Sequence, residues 1–230
     1  MTTPIKLSPL NATAERLGAR WQEVAGWRCV EDYGNPATEV ARLRDGAGLA
    51  DVSAAGKIQI EGRQAAALLA AALGASPAAV GDHVGVPAGD LYCLRPDMYF
   101  LRTTPGAELA ARSTLEAAAA AQAELLTVTD VTHGLAGIAL VGPWVVDVLA
   151  RVCGLDFSAA AFPNQAARQS SVAKIRQLII HQDRGGLPAY TLFGARSLAA
   201  YLWGVLLDAG RPFDLTPVGL EALSTLEHVP

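Results

Sequence analysis

Cysteine is scarce in this 230-residue chain, and Cys29, Cys93 and Cys153 are scattered, odd in number and without a CxxC pair. That arrangement argues against a disulfide framework or a zinc site, and the three thiols are expected as small buried apolar groups. Charge is also sparse, at 17% of residues with a net of −4. A binder of nucleic-acid backbone needs a basic face, so nucleic acid is not an expected partner, although a local basic pocket for a small anion stays open. Long apolar runs are missing too. The longest, Ala65–Leu73 and Leu135–Val146, are too short to span a bilayer. The first residues carry one early lysine and no apolar core of a secretory signal. The expectation is a soluble, cytoplasmic protein with no membrane partner. Phosphate-cradling motifs are absent as well: no GxGxxG follows a strand pattern and no GxxxxGK[ST] occurs. Asp183-Arg184-Gly185-Gly186 is short and reads as a hairpin turn.

What the chain has in abundance is apolar residues, 51% of the total. That excludes disorder and is enough for one large core or two small ones. It also has an internal echo. Asp51-Val52-Ser53 precedes the alternating Ile58-Gln59-Ile60 and Gly62, and Asp130-Val131-Thr132 precedes Ile138-Ala139-Leu140 and Gly142. The spacing from Asp51 to Asp130 is one residue shorter than that from Gly62 to Gly142, so the copies differ by a single insertion. An echo of this kind predicts a duplicated fold.

The local patterns agree. Leu10–Trp27 places Leu17, Trp21 and Val24 at helical spacing, which predicts an amphipathic helix within an N-terminal helical segment, 1–47. Asn35-Pro36 is a helix start, with Asn as cap and Pro in the first turn. After it, Ile58–Glu61 reads as a strand and Arg63–Leu73 as a helix ended by Gly74. Leu91–Leu94 and Met98–Arg102 read as a hairpin around Arg95-Pro96-Asp97, and Ala107–Leu125 as a long helix. The second copy repeats the order: a strand at Ile138–Val141, a helix from Pro143 to Gly154, strands at Ile175–His181 and Tyr190–Phe193, and a helix over Ala195–Ala209. Polar Gln165–Ser171 reads as a loop. The prediction is an α+β fold of duplicated strand-helix-hairpin-helix units with antiparallel sheets packed together. It forms a single unit over 1–230, with pseudo-repeat halves at about 48–126 and 127–230. His133 and His181 have no partner at metal-ligand spacing and are expected as structural groups. Trp144 and Trp203 are expected as core or interface anchors.

The ordered series Gly18-Ala19-Arg20, Ala25-Gly26-Trp27, Tyr33-Gly34, Glu39 with Arg42 and Arg44, and Gly48–Ser53 with Gly56-Lys57 resembles the folate-binding T-protein superfamily. So does the closing Pro217-Val218-Gly219-Leu220-Glu221-Ala222. That superfamily contains the glycine cleavage aminomethyltransferase. In the second half, Gly142-Pro143, Val148-Leu149-Ala150, Cys153–Phe157, Ala161-Phe162-Pro163 and Arg196-Ser197 ahead of Tyr201-Leu202-Trp203 look more like the gamma subunit of heterotetrameric sarcosine oxidase. The resemblance implies tetrahydrofolate as cofactor, a flat apolar slot, a carboxylate for the pterin and cationic groups for the glutamate tail. A further carboxyl would stand near the reacting nitrogens, its pKa set by how dry the slot is. Matched to the family pattern, Asp90 takes the place of the reactive aspartate at the start of a hairpin. Tyr99 matches the folate-contacting tyrosine, and Leu101 and Tyr190 join it as cofactor-binding positions.

The chain also departs from the pattern. The family's acidic stretch falls at Arg184–Tyr190, where no carboxylate stands. Its arginine-bearing segment falls at Ala222–Glu227, where neither arginine is present, and a leucine offers no guanidinium fork. The family's C-terminal β-barrel would begin near Pro230, and a slot without it is expected to be wetter and shallower. Weak folate binding is therefore expected. The functional expectation is a non-catalytic, gamma-like subunit of a sarcosine-oxidase-type or glycine-cleavage-type complex, partnered by other subunits of a heteromeric amine-oxidising complex. The alternative is a compact tetrahydrofolate-dependent aminomethyltransferase or methyltransferase using Asp90, and a folate-sensing regulator is a third possibility.

Overall fold

The computed structural model describes residues 5–121 and 124–228. The chain opens with strand β1 (Lys6–Leu7) and a short helix α1 (Asn11–Arg16), then folds β2 (Trp21–Val24) onto β3 (Trp27–Val30). Leu10–Trp27 is therefore not one amphipathic helix. Ala25 and Gly26 both take positive φ, 49° and 78°, and two successive left-handed residues make the tight turn that suits twisted antiparallel strands. The apolar spacing that imitated a helix is divided between α1 and β2.

Helix α2 (Pro36–Asp45) starts as its sequence indicates. The Asn35 side chain accepts the Thr38 N–H at 3.1 Å, and Pro36 fills the first turn. Its buried Glu39 accepts the N–H groups of Tyr33 at 2.6 Å and Gly219 at 2.7 Å, tying the two ends of the chain together.

Next come β4 (Ala47–Asp51), β5 (Gly56–Glu61), α3 (Ala65–Leu73), β6 (His83–Val86), β7 (Gly89–Arg95), β8 (Met98–Thr103) and α4 (Glu108–Ala120). Gly74, at φ 84°, closes α3 with a left-handed cap. Helix α4 ends short of Leu125, and residues 122 and 123 of that expected helix lie outside the described residues. The second series is β9 (Thr127–Asp130), β10 (Leu135–Val141), α5 (Val145–Ala150), β11 (Ala166–Val172), β12 (Ile175–His181), β13 (Ala189–Ala195), α6 (Ala199–Gly210), β14 (Leu215–Pro217) and α7 (Leu220–His228). The expected loop Gln165–Ser171 is thus a strand from Ala166 to Val172, with only Gln165 left in the preceding turn. It sits at the edge of its sheet, where polar side chains discourage pairing with other chains.

The described residues form three open sheets, ordered β1-β3-β2, β11-β12-β13-β10-β4-β14 and β6-β7-β8-β5-β9, and none closes into a barrel. Pairing is antiparallel except for β1 with β3 and β4 with β14. Helices α3 and α4 cover one face of the five-stranded sheet, burying Ile58, Leu69, Leu91, Leu101 and Leu115. Helices α5 and α6 cover the six-stranded sheet over Ile138, Leu140, Leu149, Leu202 and Trp203. The opposite faces of the two sheets meet through Tyr92, Leu94 and Phe100 against Leu178, Ile180 and Phe193. Each fully buried side chain of this size contributes about 1.5–3 kcal/mol. The layers run helices, sheet, sheet, helices, and the α+β expectation holds. Cys29, Cys93 and Cys153 are buried and unpaired. Trp203 is core, whereas Trp144 is half exposed and stacks on Phe213.

The echoed motifs cross between the sheets. Strand β4, which leads the first series, pairs with β10 of the second, and β9, which leads the second, pairs with β5 of the first. The junctions are made alike. Val52 N–H donates to Gly137 O and Val131 N–H to Lys57 O, both at 2.9 Å. Ser53 Oγ accepts Gly137 N–H at 3.0 Å, and Thr132 Oγ1 accepts Lys57 N–H at 2.9 Å. Asp51 and Asp130 accept from the N–H two residues on, at 3.0 and 2.8 Å. The hydroxyl and the aspartate of each motif are therefore hydrogen-bonding parts of an exchanged-strand corner.

Candidate functional site

The β4–β5 connection, the sheet ends and α7 line a cavity of about 400 Å³, within the range of small-molecule sites. The five-stranded sheet supplies Gly89, Asp90 and Arg102, with Thr104 just past the end of β8, and the six-stranded sheet supplies Thr191 and Phe193, with Arg184 in the turn between β12 and β13. Asp51, Val52, Ala54 and Ala55 come from the β4–β5 connection, and Leu220, Leu223, Ser224 and Glu227 from α7.

Asp90 reaches this cavity because β7 starts hard against β8. A Cβ on Gly89, at φ 142°, would stand 2.1 Å from Arg102 O, so only glycine fits there. Register then sets Asp90 opposite Arg102. Both oxygens of Asp90 are engaged: Oδ1 lies 2.9 Å from His83 Nε2, and Oδ2 accepts from Arg102 Nη2. Burial by itself would raise the Asp90 carboxyl, but the charge and hydrogen bond of Arg102, with help from His83, outweigh it and hold the pKa below the ordinary value. Arg102 Nη2 also donates to Gln182 Oε1, bridging the two sheets.

Two other carboxylates line the cavity. Asp51 is the opposite case to Asp90: burial pushes its pKa up, against hydrogen bonds from Ser53 and Ser8 and the charge of Lys57. Glu227 accepts from Arg184 Nη1 at 2.6 Å. Behind the wall at Ala55 lies Lys57, with no solvent exposure. Its ammonium donates to Ser53 O at 2.8 Å and Ala55 O at 2.7 Å and stands 5.8 Å from the Phe193 ring centre. Burial drives its pKa down to about 8, against the pull of Asp51, Asp130 and Glu108.

The matched residues divide. Asp90 lines the cavity, whereas Tyr99, Leu101 and Tyr190 do not. Tyr99 and Leu101 lie on the face of β8 that packs beneath α3 and α4, one pleat out of phase with Arg102. Tyr190 is in the core beneath α5 and α6, stacked on His181 at 4.3 Å between ring centres, and burial raises its pKa to about 12. His181 is satisfied by Phe162 O and Asp183 Oδ1, both at 2.9 Å, which agrees with a structural role. His133 stacks on Trp27.

Sequence reasoning missed Arg102, Glu227 and His83 as site residues, and took Arg184 for part of a turn. Folding the hairpin back on paper would have put Thr103 opposite Asp90. A bulge between Cys93 and Arg95 shifts the register by one and brings Arg102 there instead.

The arrangement offers an ionised, pinned carboxylate, two guanidiniums and an apolar wall. Among the described residues no group of three or more His, Cys, Asp and Glu side chains could hold a metal, and no helix is long and apolar enough to cross a membrane.

Comparison with known proteins follows the same lines. The GCVT N-terminal domain matches residues 10–228. The chain is 32% identical to an aminomethyltransferase of Saccharopolyspora erythraea, over 98% of this chain and 64% of that protein. It is 29% identical to sarcosine oxidase subunit alpha of Rhizobium meliloti, over 97% of this chain and 25% of that protein. Among solved structures, glycine cleavage system aminomethyltransferase T from Bartonella henselae superposes with a TM-score of 0.83 at 24% identity, over 97% of this chain and 62% of the other. A chain of heterotetrameric sarcosine oxidase from Corynebacterium sp. U-96 gives 0.70 at 24% identity, over 90% and 95%. The chain thus spans just under two thirds of the first of these aminomethyltransferases. The family match covers nearly all of the sequence, and this chain belongs to the GCVT N-terminal domain family, the T-protein superfamily that its motifs resemble.

Proposed function

We propose that this chain is a folate-binding-type body of one-carbon or amine metabolism that acts as a non-catalytic, gamma-like subunit of a sarcosine-oxidase-type or glycine-cleavage-type complex. The observation that carries this reading is the state of Asp90. A carboxyl that manages a proton needs a free oxygen and a pKa near the working pH. Asp90 has both oxygens engaged by His83 and Arg102 and a pKa held low. The cavity persists as a binding site while its acid is committed to a structural ion pair. Partners of that chemistry are supported by relatives named as sarcosine oxidase subunit alpha and heterotetrameric sarcosine oxidase.

The second reading, a compact tetrahydrofolate-dependent aminomethyltransferase or methyltransferase, is favoured by one observation: Asp90 does line the cavity. Calorimetric titration with tetrahydrofolate, paired with an aminomethyl-transfer assay, separates the two. The subunit reading expects weak binding, at high micromolar to millimolar folate, and no transfer. Measurable transfer that Asp90→Asn abolishes would establish the enzyme instead. No heat at millimolar folate would remove folate from both readings.

A further inference from the structure

The outer face of α6 lacks what a solvated helix face carries. Its 12 residues hold one charge, Asp208, and Arg211 already pairs that at 2.7 Å. Leu202, Trp203 and Leu206 pack inward onto the sheet. The outward side is apolar too: Tyr201 is 57% exposed, and Leu198, in the turn before the helix, is 42% exposed. A helix this apolar all round is ordinarily buried all round. Leu7, 45% exposed, extends the patch, because Arg196 Nη2 donates to Leu7 O at 2.8 Å and holds β1 beside the start of α6.

Cations gather at one edge of this patch. The β12–β13 ladder runs out at Gln177 and Gly194, so Lys174 and Arg176 lie at the same end of the sheet as Arg196 and Leu198. Ala173 and Lys174, at φ 51° and 64°, make the tight turn into β12. Ala173 N–H donates to Val152 O at 2.8 Å, which brings Arg151 to that end as well. Among the described residues, no carboxylate pairs with Arg151, Lys174, Arg176 or Arg196. Three of the four are exposed and Arg196 is half-buried. In a chain of net charge −4, unpaired cations beside bare hydrocarbon complement an acidic surface with an apolar centre.

We propose that the outer face of α6, with Leu7 and the cations at its edge, is the docking surface for a different protein subunit, one that presents an apolar patch flanked by carboxylates. This rests on the subunit reading for there being a partner, and it adds where that partner sits and what chemistry it offers. A second copy of this chain brings no free carboxylate on α6, since Asp208 is already paired. A nucleic-acid backbone would use the cations and leave Leu198 and Tyr201 wet.

The test purifies the tagged full chain from its own host, identifies by mass spectrometry the protein that accompanies it in equal amount, and titrates the two purified proteins by calorimetry. Tyr201→Asp and Leu198→Asp should each weaken the complex at least tenfold. Lys174→Glu combined with Arg176→Glu should weaken it by a similar factor. The wild-type complex should loosen as salt rises, and the doubly reversed variant should respond less. Leu109→Asp, an exposed site on α4 in the opposite helical layer, should leave binding unchanged. Should Tyr201→Asp fail to fold, as judged by circular dichroism, the exposed Lys174 and Arg176 still decide. A partner bound as tightly by the variants as by wild type, or bound without regard to salt, overturns the docking surface and leaves the subunit reading standing. No companion protein, with the chain instead self-associating through Tyr201 or sedimenting with phosphatidylglycerol vesicles, overturns both.

Discussion

The two exchanged-strand corners share a backbone and differ in what fills them. Lys57 and Gly137 hold equivalent places, each clasped by the aspartate-hydroxyl motif of the other series. Across the ladder from Lys57 stands Arg102, and across from Gly137 stands Phe193. One step further, Arg102 pairs with Asp90, while Phe193 pairs with Leu178. One corner is therefore a run of charge, Lys57, Arg102 and Asp90, and the other a run of glycine and hydrocarbon. The hydrogen bonds that shape the body are common to both series. Part of the cavity's polarity, Arg102 and Asp90, comes from the side chains that differ, so shape and chemistry are set largely by separate positions.

The strongest way to break the comparison is to put the side chain of one corner into the other. At Gly137 a Cβ would meet Phe193 Cε1 at 2.9 Å and Val52 O at 3.0 Å. Gly137→Lys should destabilise the protein by about 3 kcal/mol or more through overpacking and an unpaired buried charge, which urea unfolding would register. A near-neutral result would mean that the corners are interchangeable.

The next effect concerns charge alone. Lys57 has a folded pKa of about 8 against an ordinary 10.5, so between those values the unfolded chain binds more protons and stability rises with pH. The gain attributable to Lys57 is roughly 3 kcal/mol at most. Cys29, pushed up to about 11 by burial, and the buried tyrosines act in the opposite sense at high pH. Urea unfolding of wild type against Lys57→Met, from pH 7.5 to 10.5, isolates the lysine. The difference between the two curves should shift with pH across that window, in favour of wild type as pH rises. Parallel curves would mean that Lys57 is no more than a steric filler.

The smallest effect sharpens what the corners have in common. Ser53→Ala and Thr132→Ala each leave one buried backbone N–H without its acceptor, at Gly137 and Lys57. Each should cost about 1–2 kcal/mol, and the two losses should agree closely if the clasps are equivalent. A loss confined to one variant would show that only that corner depends on its hydroxyl.

Much of this frame was legible beforehand, because it rests on local chemistry. The echoed Asp-Val-Ser and Asp-Val-Thr, the Asn35 cap and the Gly74 terminus each act within a few residues of themselves. Leu10–Trp27 misled because apolar residues at helical spacing also fit a short helix followed by a strand, and the decisive signal was the left-handed pair Ala25-Gly26. Gln165–Ser171 misled because an edge strand can be polar on both faces. At the site, Asp90 was reached by resemblance, but its partner was hidden by a bulge. Tyr99 and Leu101 matched by position and still fell on the helix-covered face, since strand parity decides where a side chain points. The Arg184–Glu227 pair joins segments 43 residues apart, and no spacing rule announces such a meeting.

Because each series lends its opening strand to the other, neither is a self-sufficient module. Cut between residues 121 and 124, the chain would yield two fragments, each with a strand site vacant and a strand to spare. Such pieces should regain structure only on mixing. A scaffold interlocked in this way can change the groups around its hollow and keep the hollow itself.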